Sequence, residues 1–164
     1  MTSISTLLPT YATIDLAALA HNLSQIKRYL SPSCEVMAVV KANAYGHGAV
    51  ETAQALSSQG VGRFAVASLD EGIALRHAGL SASIVVLGAL LEEQVRDLVA
   101  YRLTPVVSDR LILPSLAKAA HSQLAPYPIH PRSKPGWDGW DFLRKSCSLS
   151  STTQSFEALF ISRD

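Results

Sequence analysis

The stretch AVVKANAYGHGA, residues 38–49, holds the side chains best suited to chemistry. It contains a lysine, Lys41, a phenol four residues on, Tyr45, and then Gly46 and Gly48. Lys41 follows the apolar run VMAVV (36–40), which has the composition of a strand buried on both faces. In parallel α/β folds the carboxyl ends of such strands are where ligands bind. A lysine held between low-dielectric walls loses stability as the cation, so its amine becomes a usable nucleophile or base. Such an amine can form a Schiff base with a carbonyl ligand such as pyridoxal phosphate. The Tyr45 hydroxyl could donate a hydrogen bond to a phosphate, and the glycines would let backbone approach a ligand closely. Position alone leaves two commoner alternatives open. One is a strand ending in a solvated lysine, and the other is an ordinary βα turn with a partly packed tyrosine. For His47, helix-start packing or capping suffices.

The elements that would position these residues follow a clear rhythm. Asp15 can cap a helix whose Leu16, Leu19, Leu23, Ile26 and Leu30 form one apolar stripe, stopped at Ser31-Pro32. After the first strand and the glycine break, AVETAQALSSQ (49–59) reads as a helix ended by Gly60. RFAVAS (63–68) is strand-like. Ser68 and Glu71 form an S-x-x-E capping box for a helix to about Ala78, closed by Gly79. Asp70 and Glu71 also read as first-turn charges favoured by the helix dipole. SIVVLG (83–88) and LTPVVS (103–108) are two more strands, followed by helices over 90–101 and 109–120. Four βα units with buried strands imply a parallel sheet with right-handed crossovers, either doubly wound or a barrel.

Composition narrows the class of protein. Hydrophobic residues make up 48% of the 164 and charged ones 16%, enough for a core. A net charge of +1 offers no basic field for nucleic acid. Two cysteines, Cys34 and Cys147, are too few for a disulfide framework, so a reducing, cytoplasmic location is expected. No apolar run is long enough for a membrane helix, and the first ten residues lack the pattern of a signal peptide. His121 and His130 lie nine apart without further ligands, so no metal site is expected.

Together, YATIDLAALAHNLSQIK (11–27) and AVVKANAYGHGA resemble the N-terminal barrel domain of alanine racemases, fold-type III pyridoxal phosphate enzymes. ASLDEGIALRHAG (67–79) and SIVVLGA (83–89) resemble the same family, over roughly residues 8–130. The resemblance implies a partial (β/α)8 barrel of about four βα units, preceded by an N-terminal strand and helix. It implies that Lys41 carries the cofactor as a Schiff base and that Tyr45 contacts its phosphate. It places Leu87 near the cofactor and Val39 on the floor of the site. The implied reaction interconverts L- and D-alanine, supplying D-alanine for peptidoglycan. Lys41 would serve one enantiomer, and a tyrosine from the partner subunit of a homodimer would serve the other. A full barrel of this type takes about 250 residues. The chain is therefore expected to have little or no activity alone, or to be a non-catalytic fragment that binds pyridoxal phosphate weakly or docks on an intact subunit.

The composition changes near residue 126. Alanine occurs 21 times in residues 1–126 and once afterwards, whereas Trp137 and Trp140 lie in the last part. Where the family pattern continues with a segment like K-I-E-T-G-M-G-R-L-G-F, this sequence reads RSKPGWDGWDF (132–142). A codon series for the former, read one base later, yields RSKPGWDGWD. The expectation is a barrel domain over 1–130 and an irregular or disordered out-of-frame tail over 131–164. Resequencing the gene across the Pro131 codon should show a one-base shift. An intact frame with clean coverage of both strands would remove this explanation of the tail.

Overall fold

The computed structural model describes residues 12–31, 34–121 and 127–131. Helix α1 (Leu16–Tyr29) opens at Asp15, whose Oδ1 accepts from the Ala17 and Ala18 amides at 2.9 and 3.0 Å. Then come β1 (Met37–Val39), the short turn α2 (Lys41–Tyr45) and α3 (Ala49–Ser58). The pattern repeats with β2 (Arg63–Val66), α4 (Leu69–His77), β3 (Ser83–Val86), α5 (Val95–Ala100), β4 (Thr104–Val107), α6 (Leu113–Ala120) and β5 (His130–Pro131). All neighbouring strands are parallel and lie in chain order, β1 to β5. This consecutive parallel order is that of a barrel segment, not of a doubly wound sheet, which reverses at a switch point.

The apolar runs are unbroken because both faces of the sheet are covered. In-register residues Ala38, Phe64 and Ile84 pack with the helices, together with Val40, Val66, Val86 and Val107. The opposite face carries Met37, Ala65, Val85 and Val106, with Val39 and Leu87 packed against them. Alternation along each strand divides the residues between the two faces.

Several boundaries differ from the periodic reading. The helix expected over 90–101 begins as a 3₁₀ turn, Glu92–Gln94, because the Gln94 side chain reaches back to the Leu91 amide at 3.1 Å. The helix expected from Asp109 likewise begins as a 3₁₀ turn, Arg110–Ile112, on an Asp109 cap. Pro114 has no N–H to give the carbonyl four residues back, so α6 can start only around it. The fifth strand was not evident in the sequence. Its Pro131, placed by the codon reading at the start of the tail, pairs with Val107. Strand β4 is therefore flanked on both sides, and among the described residues β1 and β5 form the edges. Of the expected N-terminal strand, only residues 12–15 are described, and they carry no strand; the tail from 132 lies outside the described residues.

Two side chains knit the loops together. Arg76 at the end of α4 donates to four carbonyls: Leu80 at 2.6 Å, Ala82 at 2.7 Å, Tyr101 at 2.9 Å and Arg102 at 2.9 Å. These carbonyls precede β3 and β4, so one guanidinium joins the entries of two strands. Desolvation, then the nearby Arg102 charge, lowers its pKa from the ordinary value. The buried Tyr127 hydroxyl bridges the carbonyls of Leu98 and Leu103, and burial raises its pKa above the usual phenol range. Replacing Arg76 with lysine keeps the charge but loses the fork, leaving carbonyls without donors. Urea unfolding of Arg76→Lys is expected to show a loss of about 1–3 kcal/mol.

Candidate active site

Lys41 lies just past β1, at the carboxyl end of the sheet. The backbone that follows it is unusual. Ala42, Asn43, Ala44 and Tyr45 all have positive φ, at 50°, 56°, 53° and 54°. Element α2 is thus a left-handed helical turn. Left-handed helix costs an L-residue roughly 1–2 kcal/mol, and asparagine tolerates it best. Strain of this kind persists only where the surroundings over-determine it, and it clusters at functional sites.

Those surroundings are specific. The Ala44 amide donates to the Val40 carbonyl at 2.9 Å, Gly46 to Ala42 at 3.2 Å and Gly48 to Asn43 at 3.0 Å. The Asn43 side-chain oxygen accepts from the Ala49 amide at 2.9 Å and so serves the first residue of α3. Gly46 and Gly48 continue the positive φ at 88° and 85°, where a side chain would be strained. His47 donates through Nδ1 to the Ala44 carbonyl at 2.9 Å, a local closure of the turn.

A second layer comes from α4. Glu71 completes the capping box expected from the sequence, and its reach is longer than a cap requires. One carboxylate oxygen accepts from the Ala42 amide at 2.7 Å. The other accepts from the Ala67 amide at 2.7 Å and the Ser68 amide at 3.4 Å. A third close approach lies at the end of β3. A Cβ on Gly88 would stand 2.4 Å from the Ala67 carbonyl oxygen, to which the Gly88 amide donates at 3.0 Å. Only glycine fits that contact.

The turn brings together two of the residues picked from the sequence. Lys41 and Tyr45 are one helical turn apart, with the Lys41 Nζ 6.0 Å from the centre of the Tyr45 ring, and Tyr45 is 49% exposed. Val39 and Leu87 share the inner face of the sheet, on β1 and just past β3, with β2 between those strands. The arrangement offers a primary amine and a phenol at the carboxyl end of β1. That donor set suits a ligand with one carbonyl and one phosphate. Among the described residues, no group of three or more His, Cys, Asp and Glu could hold a metal ion. Burial, then the Arg63 charge, lowers the His130 pKa from its ordinary value.

The sequence reading missed Asn43, Gly88 and the second function of Glu71. Asn43 carried a signal, since asparagine tolerates the left-handed region better than most L-residues. Gly88 and the Ala42 bond of Glu71 depend on contacts between different βα units, which no local pattern encodes.

Asn43→Ala removes the acceptor that serves the first amide of α3 and adds another strained alanine. It is expected to lose about 1–3 kcal/mol in urea unfolding, with Asn43→Gly recovering part by relieving the strain.

Residues 14–131 match the family described as alanine racemase, N-terminal domain. An alanine racemase of Carboxydothermus hydrogenoformans is 50% identical over 102 residues, which cover 62% of this chain and 27% of that protein. Among solved structures, an alanine racemase of Clostridium difficile superposes with a TM-score of 0.71 at 35% identity, covering 77% of this chain and 34% of that one. A histidine racemase of Leuconostoc mesenteroides superposes with a TM-score of 0.62 at 31% identity, covering 71% and 31%. The chain thus spans about a quarter to a third of the length of these proteins.

Proposed function

The chain belongs to the alanine racemase N-terminal domain family, and on that premise we propose that it is the cofactor-bearing part of a pyridoxal phosphate-dependent amino-acid racemase, with Lys41 as the attachment point. The observation that carries the proposal is the left-handed turn that sets Lys41 and Tyr45 side by side at the carboxyl end of the sheet. Pyridoxal phosphate bound there supplies an electron-withdrawing ring that stabilises negative charge at the substrate Cα. Lys41 would hold the cofactor through Nζ, and its amine, when free, would take or return the Cα proton on one face. Tyr45 would donate a hydrogen bond from its hydroxyl to a phosphate oxygen. Val39 and Leu87 form an apolar floor that keeps water from the reacting carbon.

Exchange of configuration needs a second proton-transfer group on the opposite face. The proposal assigns that group to a homodimeric partner's tyrosine, and it expects low racemisation by the 164-residue chain alone. Alanine is the proposed substrate because most of the matched proteins are named for it; its D-isomer would feed peptidoglycan in the cytoplasm. The barrel portion is proposed to extend to about residue 130, with an out-of-frame tail beyond. No helix among the described residues is long and apolar enough to cross a membrane.

Borohydride reduction in the presence of pyridoxal phosphate, followed by peptide mapping, should place a pyridoxyl group on Lys41 and none on the Lys41→Ala chain. Labelling spread over surface lysines, with position 41 unmarked, would refute the assignment. Racemisation assays with alanine, serine and histidine then test the substrate and the expected low turnover.

A further inference from the structure

We propose that Glu71 is a positioning residue for Lys41, holding the strained backbone through which the lysine is presented; the inference rests on the proposed role of Lys41. The amides on either side of Lys41 both bond to the second βα unit. Before it, the Val40 amide donates to the Ala65 carbonyl of β2 at 2.8 Å. After it, the Ala42 amide donates to Glu71 at 2.7 Å. The first bond is a sheet bond that many residue types would allow. The second depends on one side chain.

Ala42 begins the left-handed run, and the first N–H groups of such a turn have no acceptor within it. Without an acceptor there, the amide would be satisfied by water or by relaxing the turn. Glu71 supplies the acceptor from a fixed base. Its other oxygen is anchored by the Ala67 amide at 2.7 Å, and its own amide donates to the Ser68 hydroxyl at 3.3 Å. The carboxylate therefore spans the exits of β1 and β2. Two oxygens are required, because one faces each strand end. Glutamine can still cap α4, since it carries one acceptor oxygen. Its NH2 group would then face an N–H, and one of the two strand ends would lose its partner. Aspartate keeps both oxygens on a stem one methylene shorter.

The experiment compares the 164-residue chain with Glu71→Gln, Glu71→Asp and Ser68→Ala. Amide hydrogen exchange is read at Ala42, at the first turn of α4 and at Val85 and Val86, which report the intact sheet. Pyridoxal phosphate is titrated by the absorbance of its lysine-bound form and by borohydride labelling at Lys41. Glu71→Gln is expected to speed exchange at Ala42 by at least about tenfold and to weaken cofactor uptake about fivefold or more, with Val85 and Val86 still protected. Ser68→Ala weakens the cap but leaves the carboxylate on Ala42. It should speed exchange in the first turn of α4 only, with cofactor uptake unchanged. If Glu71→Gln exposes Val85 and Val86, Glu71→Asp replaces it as the test, with the same expectation at Ala42.

Exchange at Ala42 and uptake both within about twofold of the parent chain would overturn the proposal. So would equal effects of Ser68→Ala and Glu71→Gln, which would reduce Glu71 to a helix cap. A parent chain that takes up no cofactor at Lys41 defeats the racemase reading instead, and exchange at Ala42 still decides whether Glu71 holds the turn.

Discussion

Ala42 to Tyr45 hold a backbone conformation that L-residues avoid, and the carboxyl end of the sheet is arranged around keeping them there. A right-handed turn after β1 would send the chain toward a different exit and would place Lys41 and Tyr45 differently against the inner face. The left-handed turn is stabilised by no single strong contact. It is held by a set of hydrogen bonds to Val40, Ala42, Asn43 and Ala44 carbonyls, by the Asn43 side chain, and by one carboxylate from another βα unit. Each is modest, since a typical hydrogen bond contributes about 1 kcal/mol net. Several of them together match the conformational cost.

The sheet beneath this turn has the opposite character. Its strands have ordinary geometry, its registers are regular and its faces are apolar. The parallel order lets every strand end contribute to one rim, so residues from β1, β2 and β3 meet there although 40 or more positions separate the first from the last, as Val39 and Leu87 show. The tight contact of Gly88 with the Ala67 carbonyl draws the ends of β2 and β3 together on that rim.

Much of this was legible in the sequence because it is local. The Asp15 cap, the Ser68–Glu71 box, the Val-rich runs and the glycine stops each follow from short-range chemistry, and each element is present. Lys41 was conspicuous through the string KANAYGHG that it opens, since its position alone also suits a solvated lysine at a strand end. The left-handed turn was not legible, because alanine has no preference for it and two of its residues are alanines. Arg76, Tyr127 and the Ala42 contact of Glu71 act over 24 to 29 residues of sequence, apart from the nearer Leu80 and Ala82 bonds of Arg76. A capping box identifies the residue that needs a carboxylate, but it says nothing of where the second oxygen points. The 3₁₀ starts of the last two helices were hidden for a similar reason, since apolar spacing does not register a side chain reaching backward.

Arg76 gathers its four carbonyls on the rim opposite Lys41, where strands β3 and β4 begin. The molecule therefore separates its duties along the strand axis. One rim is fastened by a fork of charge-assisted bonds to backbone, and it fixes the spacing of strands that the other rim then uses. Sequence change at the Lys41 rim leaves those fastenings untouched. Loops there can change while the sheet keeps its shape. The same division lets the side chains of one rim vary at little cost to the sheet that carries them.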